Sequence, residues 1–210
     1  MMYHPKIIIP PIVEPITPIE AMEWCRMGET LNDLSPADVN SLTSIVRGAR
    51  EMFENDLGRT FHETTLEYAI DGWPCDRAIE LPRATPLQSV ISFTYVDQDG
   101  AATVWNSSNY SLDTYSTPGR VYLRRQKAWP STTLDQFNAI RIRYVAGKLN
   151  ETPGDEVDVP FPECLKIAMR LIVSHWNENR EATTVGTLME SKELALGVNE
   201  LLTHYKSYGF

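Results

Sequence analysis

Several groups of residues carry functional groups at spacings that could do chemistry. His175 and Glu178 are three residues apart, so on a helix an imidazole and a carboxylate share one face, with Asn179 beside them. That pair could hold a metal or move a proton, but either task needs further ligands. The sequence has no HExxH and no second histidine cluster. A surface or capping polar cluster is the preferred reading. Cys164 lies beside a helix start, where a thiolate could be stabilised. No histidine has a sequence context that makes it a partner, and a small buried hydrophobe accounts for the residue. Asp71-Gly72-Trp73-Pro74 and Cys75-Asp76 combine two carboxylates with an aromatic, as a sugar site would. A turn between strands explains the same residues without chemistry. Arg120, Arg124, Arg125, Arg141 and Arg143 form a locally basic group. Solvated strand faces or subunit salt bridges are the plain account, and DNA contact is the sharper one. GxxxxGK[ST], GxGxxG and GxSxG are all missing. The expectation is no enzyme, with no catalytic residue, no metal ligand and no cofactor.

Composition narrows the class. The 210 residues fit one large domain or two small ones, and 42% hydrophobic content with five Trp supports a real core. No apolar run approaches the roughly 18 residues of a membrane span, so no membrane partner is expected. Cys25, Cys75 and Cys164 are odd in number and widely separated, which argues against a disulfide framework and for a reducing compartment. A formal charge of -9 argues against a surface that wraps nucleic acid. It is compatible with DNA sliding past a wall of like charge.

The elements that would position these groups are legible in order. Residues 1–16 hold four prolines in an Ile-rich run without helical period, and so predict an extended arm, mobile or packed on a neighbour. An exposed KIIIPPIV run is a hydrophobic liability, which favours docking on another surface. Thr17 and Glu20 form a capping box, with Pro18 at the first helical position and Gly28 as a stop. Ser35, Pro36 and Asp38 begin a second helix that ends at Gly58, about 22 residues or roughly 33 Å long. From Phe61 to Gly147 the period changes to two, with turns at Asp97–Gly100 and Ser116–Gly119. That pattern predicts about six short strands in an antiparallel sandwich or partial barrel. Residues 148–159 read as an acidic loop. The central helix follows, with Leu165, Ala168, Met169, Ile172 and Trp176 on one stripe. Ile167, Leu171 and Val173 extend its apolar girth, so it should be buried on several sides, in a core or between subunits. A linker over 181–190 leads to a short amphipathic helix interrupted by Gly197. The expected class is α+β: a helical bundle over 17–60 and 160–210 with a C-terminal helical arm, and an inserted small antiparallel β-domain over 61–147.

The ordered set of phrases resembles the head–tail connector (adaptor) proteins of tailed bacteriophages. It runs from Ala49-Arg50-Glu51 and Gly58-Arg59-Thr60 through Asp71-Gly72-Trp73-Pro74, Ile79–Pro82, Pro86-Leu87 and Ser89-Val90. It continues through Tyr95–Gly100, Pro118-Gly119-Arg120, Ala128-Trp129-Pro130, Ile140–Gly147, Ser174–Glu181, Val185-Gly186 and Leu196-Gly197-Val198. No single phrase is specific, whereas their order and spacing agree over residues 17–210. The resemblance implies a structural virion protein forming a homo-oligomeric ring, commonly of about twelve copies, beneath the portal. Such a ring extends the channel for double-stranded DNA without binding it specifically, and offers a platform to the next neck or tail protein. It would sit at the capsid vertex, after assembly in the host cytoplasm. By position, the portal-contacting candidates are Leu194, Leu196, Val198, Leu201, Leu202, Tyr205, Tyr208 and Phe210. Leu171, Val173 and Trp176 are candidates for packing between subunits. Residues 1–16 depart from the family pattern. A tail-side neck or head-completion role is the close variant. A ligand-binding module using Trp73, Trp105 and Trp129 is the competing class, and it requires those indoles on an exposed face. An enzyme using Cys164 or His175 would need a partner within hydrogen-bond reach.

Overall fold

Two of the three α-helices begin where a side chain satisfies a free backbone N–H group of the first turn. The computed structural model describes residues 4–28, 30–147, 161–179 and, near the C-terminus, residues 197, 198, 200, 202, 203 and 205. Helix α1 (Pro18–Trp24) is opened by the expected capping box: Thr17 Oγ1 accepts from Glu20 N at 3.1 Å and Glu20 Oε2 accepts from Thr17 N at 2.7 Å. It closes earlier than Gly28, because Cys25 caps it and Arg26 turns the chain at φ 53. Helix α2 (Pro36–Leu57) has the expected 22 residues, with Ser35 Oγ accepting from Asp38 N at 3.2 Å. It stops at Gly58, whose φ of 63 suits a residue without Cβ. Helix α3 (Glu163–Glu178) starts beside Pro162, whose carbonyl accepts from Leu165 and Lys166.

The described chain forms two compact units, one from residues 13–57 and 161–205, the other from 4–12 and 58–147. In the first, α1, α2 and α3 pack on one another. Leu42, Val46, Ala49, Phe53 and Leu57 of α2 are buried, as are Leu165, Ala168, Met169, Ile172 and Val173 of α3. Trp176 lies over Gly48, where a Cβ would meet its ring at 3.5 Å. No described helix is long and apolar enough to cross a membrane. Near the C-terminus, Gly197, Val198, Glu200, Leu202 and Thr203 are helical, and the residues before Gly197, where the sequence predicts the interruption of the arm, lie outside the described residues.

The second unit is a two-layer antiparallel β structure. Its strands are β1 (Lys6–Ile9), β2 (Thr64–Ile70), β3 (Ala78–Glu80), β4 (Leu87–Val96), β5 (Ala102–Val104), β6 (Tyr110–Asp113), β7 (Arg120–Leu123) and β8 (Ile140–Ala146). One sheet has the order β1-β2-β8-β4-β5 and the other β3-β7-β6. Strand β8 alternates as the sequence predicts. Ile140, Ile142, Tyr144 and Ala146 are fully buried, while Arg141 and Arg143 face out. The core they enter also holds Leu66, Phe93, Val121 and Leu123, so both sheets contribute to it. The buried Tyr144 hydroxyl donates to Pro82 O, and desolvation pushes its pKa far above the usual value.

Eight strands thus stand among the described residues, against about six expected. The largest difference lies in the arm. Residues 6–9 pair antiparallel with β2, Lys6 opposite Glu67 and Ile7 opposite Leu66, so the segment docks on its own sheet as an edge strand. Ile9 and Ile12 nevertheless remain 56% and 86% exposed.

Candidate functional site

The residues singled out for chemistry resolve into structural contacts. At the end of α3, Asn179 N and Nδ2 both donate to the carbonyl of His175, and Asn179 Nδ2 lies 3.3 Å from His175 Nδ1. Ser174 Oγ donates to Glu178 Oε1 at 3.4 Å. These contacts cap a helix and assemble no proton relay. Among the described residues, no group of three or more His, Cys, Asp or Glu could hold a metal ion. Cys164 is exposed in the first turn of α3, off the buried stripe of Leu165, Ala168 and Met169, so the expected small buried hydrophobe does not hold there; Cys25, Cys75 and Cys164 are all free thiols. Burial lifts the Cys25 thiol above its ordinary range, which disfavours a reactive thiolate there.

The turn reading of Asp71–Asp76 agrees with the contacts made there. Asp71 Oδ1 accepts from Asn138 N at 2.7 Å, and the Asp76 carbonyl accepts from Trp129 Nε1 at 2.8 Å. The three tryptophans do come together, but against one another. Trp73 stacks on Trp129 at 5.2 Å and 15°, and Trp105 lies 5.2 Å from Trp129 and 4.8 Å from Phe93. Trp105 is 7% exposed, and Trp73 and Trp129 are half-buried against the same core. The cluster is a continuation of the sandwich interior, not an open sugar platform.

Three of the five arginines of the basic group are held within their own sheets. Arg143 meets Glu67 across strands at 2.8 Å, Arg120 meets Asp113 at 2.8 Å, and Arg124 Nε donates to Tyr110 O at 2.8 Å. Arg141 Nε donates to Asn138 O at 3.3 Å, and Arg125 is exposed. Asp113 anchors a whole turn. It accepts from the backbone N–H groups of Tyr115 and Ser116, from Ser116 Oγ and from Arg120 Nε. The Ser116 hydroxyl first, then Arg120, holds its carboxyl down at about 2.

The candidate contact residues fall into three groups. Val173, Val198 and Leu202 are buried within the single chain, at 0%, 4% and 1% exposure. Leu171, Trp176 and Tyr205 are half-buried. Leu194, Leu196, Leu201, Tyr208 and Phe210 lie outside the described residues, as does the acidic loop over 148–159.

One feature escaped the sequence reading. Arg50, 3% exposed, sits between Glu14 and Glu54, with Nε–Oε2 and Nη1–Oε2 distances both 2.8 Å. Glu54 is itself 1% exposed, and burial raises the Glu14 carboxyl above its usual range against the pull of Arg50. The available signal was positional. Arg50 and Glu54 are four apart on the α2 face that carries Val46, Phe53 and Leu57.

The fold so defined is α+β, three packed helices and a two-sheet antiparallel unit among the described residues. No family model matches the sequence, and no curated protein does. Solved structures do match. A chain in the virion of a native gene transfer agent particle has TM-score 0.75 at 18% identity, covering 100% of this chain and 97% of that one. A chain in the neck of the empty particle, computed with C6 symmetry, has TM-score 0.75 at 19% identity with the same coverage. A chain in the neck of the native particle, computed with C12 symmetry, has TM-score 0.66 at 18% identity, again over 100% and 97%. The fold of this chain is therefore shared, end to end, with chains of those particles.

Proposed function

We propose that the chain is a structural virion protein, a head–tail adaptor whose copies form a ring beneath the portal. The observation that carries this reading is the full-length fold likeness to chains of gene transfer agent necks, which were computed with C6 and C12 symmetry. The resemblance of the ordered phrases to those of phage connectors is a second support, read from the sequence. In this reading the ring, of about twelve copies, lengthens the DNA channel and presents a docking platform to the next neck or tail protein. DNA passes without specific contact, in keeping with the net charge of -9. Residues 194–210 meet the portal, with Tyr205 and the positions not already buried supplying the contact. Leu171 and Trp176, both half-buried, and the exposed Ile9 and Ile12 supply apolar surface toward neighbouring copies. No reaction and no cofactor is assigned. Light scattering of the purified protein, alone and with its portal, tests the proposal. A roughly twelve-copy mass on the portal is expected. A protein that ignores the portal shifts the assignment to a tail-side neck or head-completion role.

A further inference from the structure

The fold divides the basic group that the sequence singles out. Arg120 and Arg143 meet carboxylates, so their charge is cancelled in place. Arg124 and Arg125 do not, and the three-stranded sheet brings Arg77 and Lys127 to them. Arg77 Nη2 donates to Leu123 O at 3.3 Å and to Arg124 O at 2.9 Å, and Lys127 N donates to the same Arg124 carbonyl. Arg124 Nε donates to Tyr110 O at 2.8 Å. Arg77, Arg124, Arg125 and Lys127 are all exposed, and none is in a salt bridge with a carboxylate among the described residues. Neutral carbonyls brace a guanidinium and leave its charge whole. Four like charges around one turn repel one another. The turn also holds an unusual backbone: Gln126, between Arg125 and Lys127, stands at φ 64, a conformation that favours glycine or asparagine.

Composition selects the ligand. A protein contact centres on apolar and aromatic residues and is poor in Lys. From Arg124 to Ala128 the turn reads Arg, Arg, Gln, Lys, Ala, and the Tyr122 ring beside it lies 5.9 Å from the Arg77 guanidinium. A dense cationic surface with open N–H forks suits phosphate oxygens, and nucleic-acid interfaces are of this polar, positive kind. We propose that Arg77, Arg124, Arg125 and Lys127 form a site for the phosphate backbone of duplex DNA, a contact that reads no sequence. The proposal rests on the ring reading for the source of the duplex, which is the channel, and adds the place where each copy touches it. The net charge of -9 keeps the contact local to this turn.

R125Q/K127Q removes two charges from side chains that are exposed. Fluorescence anisotropy of a labelled duplex is followed against the whole chain, alone and on purified portal rings, over a range of salt, with portal alone as the blank. Sedimentation of the same samples reports assembly, and circular dichroism reports folding. Wild type is expected to bind at low salt, with log affinity falling against log salt at a slope of about −3.6 for four phosphate contacts. R125Q/K127Q should weaken binding at least about tenfold and reduce the slope by about 1.8, equally for two unrelated duplex sequences. R125K/K127R should keep wild-type binding, and R141Q, on the other sheet, should leave it unchanged. No duplex binding by wild type assembled on the portal, or an equal loss in R141Q, overturns the site and leaves the ring standing. A poly-glutamate peptide that binds as tightly as the duplex assigns the turn to an acidic protein and overturns the DNA contact. A chain that binds duplex as expected but never assembles on the portal keeps the site and removes the ring reading.

Discussion

Replacing Arg50 by Met keeps much of the side-chain volume and removes the cation between two carboxylates. Glu54 is 1% exposed and the Glu14 side chain 15%, so neither regains full hydration when Arg50 is lost. Breaking a buried ion pair from one side costs about 3–5 kcal/mol. Against a typical total of about 5–15 kcal/mol, that is a large fraction of stability. The loss should also depend on pH. Burial already raises the Glu14 carboxyl, and removing Arg50 raises it further. A carboxyl whose folded pKa exceeds its unfolded value favours the folded state below the unfolded value. That advantage is lost as pH rises through the folded pKa. The deficit of Arg50→Met is therefore greatest at neutral pH and shrinks as pH falls toward the ordinary carboxylate range. Urea denaturation followed by helical circular dichroism at several pH values measures both parts. Replacing Glu14 and Glu54 by Gln in the same chain should recover most of the loss, since neither side chain then carries the charge that Arg50 balanced. A single-variant deficit below about 1 kcal/mol, the size of an exposed pair, would refute the reasoning. A deficit independent of pH would do the same.

Gly147→Ala places a methyl 2.2 Å from His62 O at a φ of +97, so a loss of at least about 2 kcal/mol is expected in thermal or urea melts. Gly72→Ala is the matched control: no atom lies within 4 Å, and a change within about 0.5 kcal/mol is expected. Asp113, held at about 2 against an ordinary 3.8, contributes stability above its unfolded value that is lost as pH falls through the folded one. Melting temperatures of wild type and Asp113→Asn should thus differ near pH 5 and converge toward pH 2; parallel curves would contradict this. Phe93→Ala empties a 1%-exposed site between the sheets and should cost about 3–5 kcal/mol by urea denaturation.

What the sequence showed of this fold was its local part. The capping box at Thr17, the Gly58 stop, the Asp97–Gly100 turn and the alternation of β8 are each set by residues within a few positions of one another. Distant pairings were not legible. Strand β1 pairs with residues about sixty positions away, so a Pro- and Ile-rich run gave no sign of which surface it covers. The tryptophan cluster draws on two loops and a strand end, and spacing cannot tell a shared core from a shared open face. Arg50 finds one of its carboxylates 36 residues back, at Glu14, and a charged residue on a helix reads by default as solvated. The candidate site was legible mainly by elimination. His175 and Cys164 lacked partners in the sequence, and the contacts of α3 put the histidine in a helix cap and the thiol at the surface.

A symmetric reconstruction of the neck from purified particles tests the adaptor assignment most directly. The account predicts a layer of about twelve copies immediately below the portal that this fold fits, with residues 194–210 turned toward the portal. A portal-adjacent layer built from a different chain would contradict it.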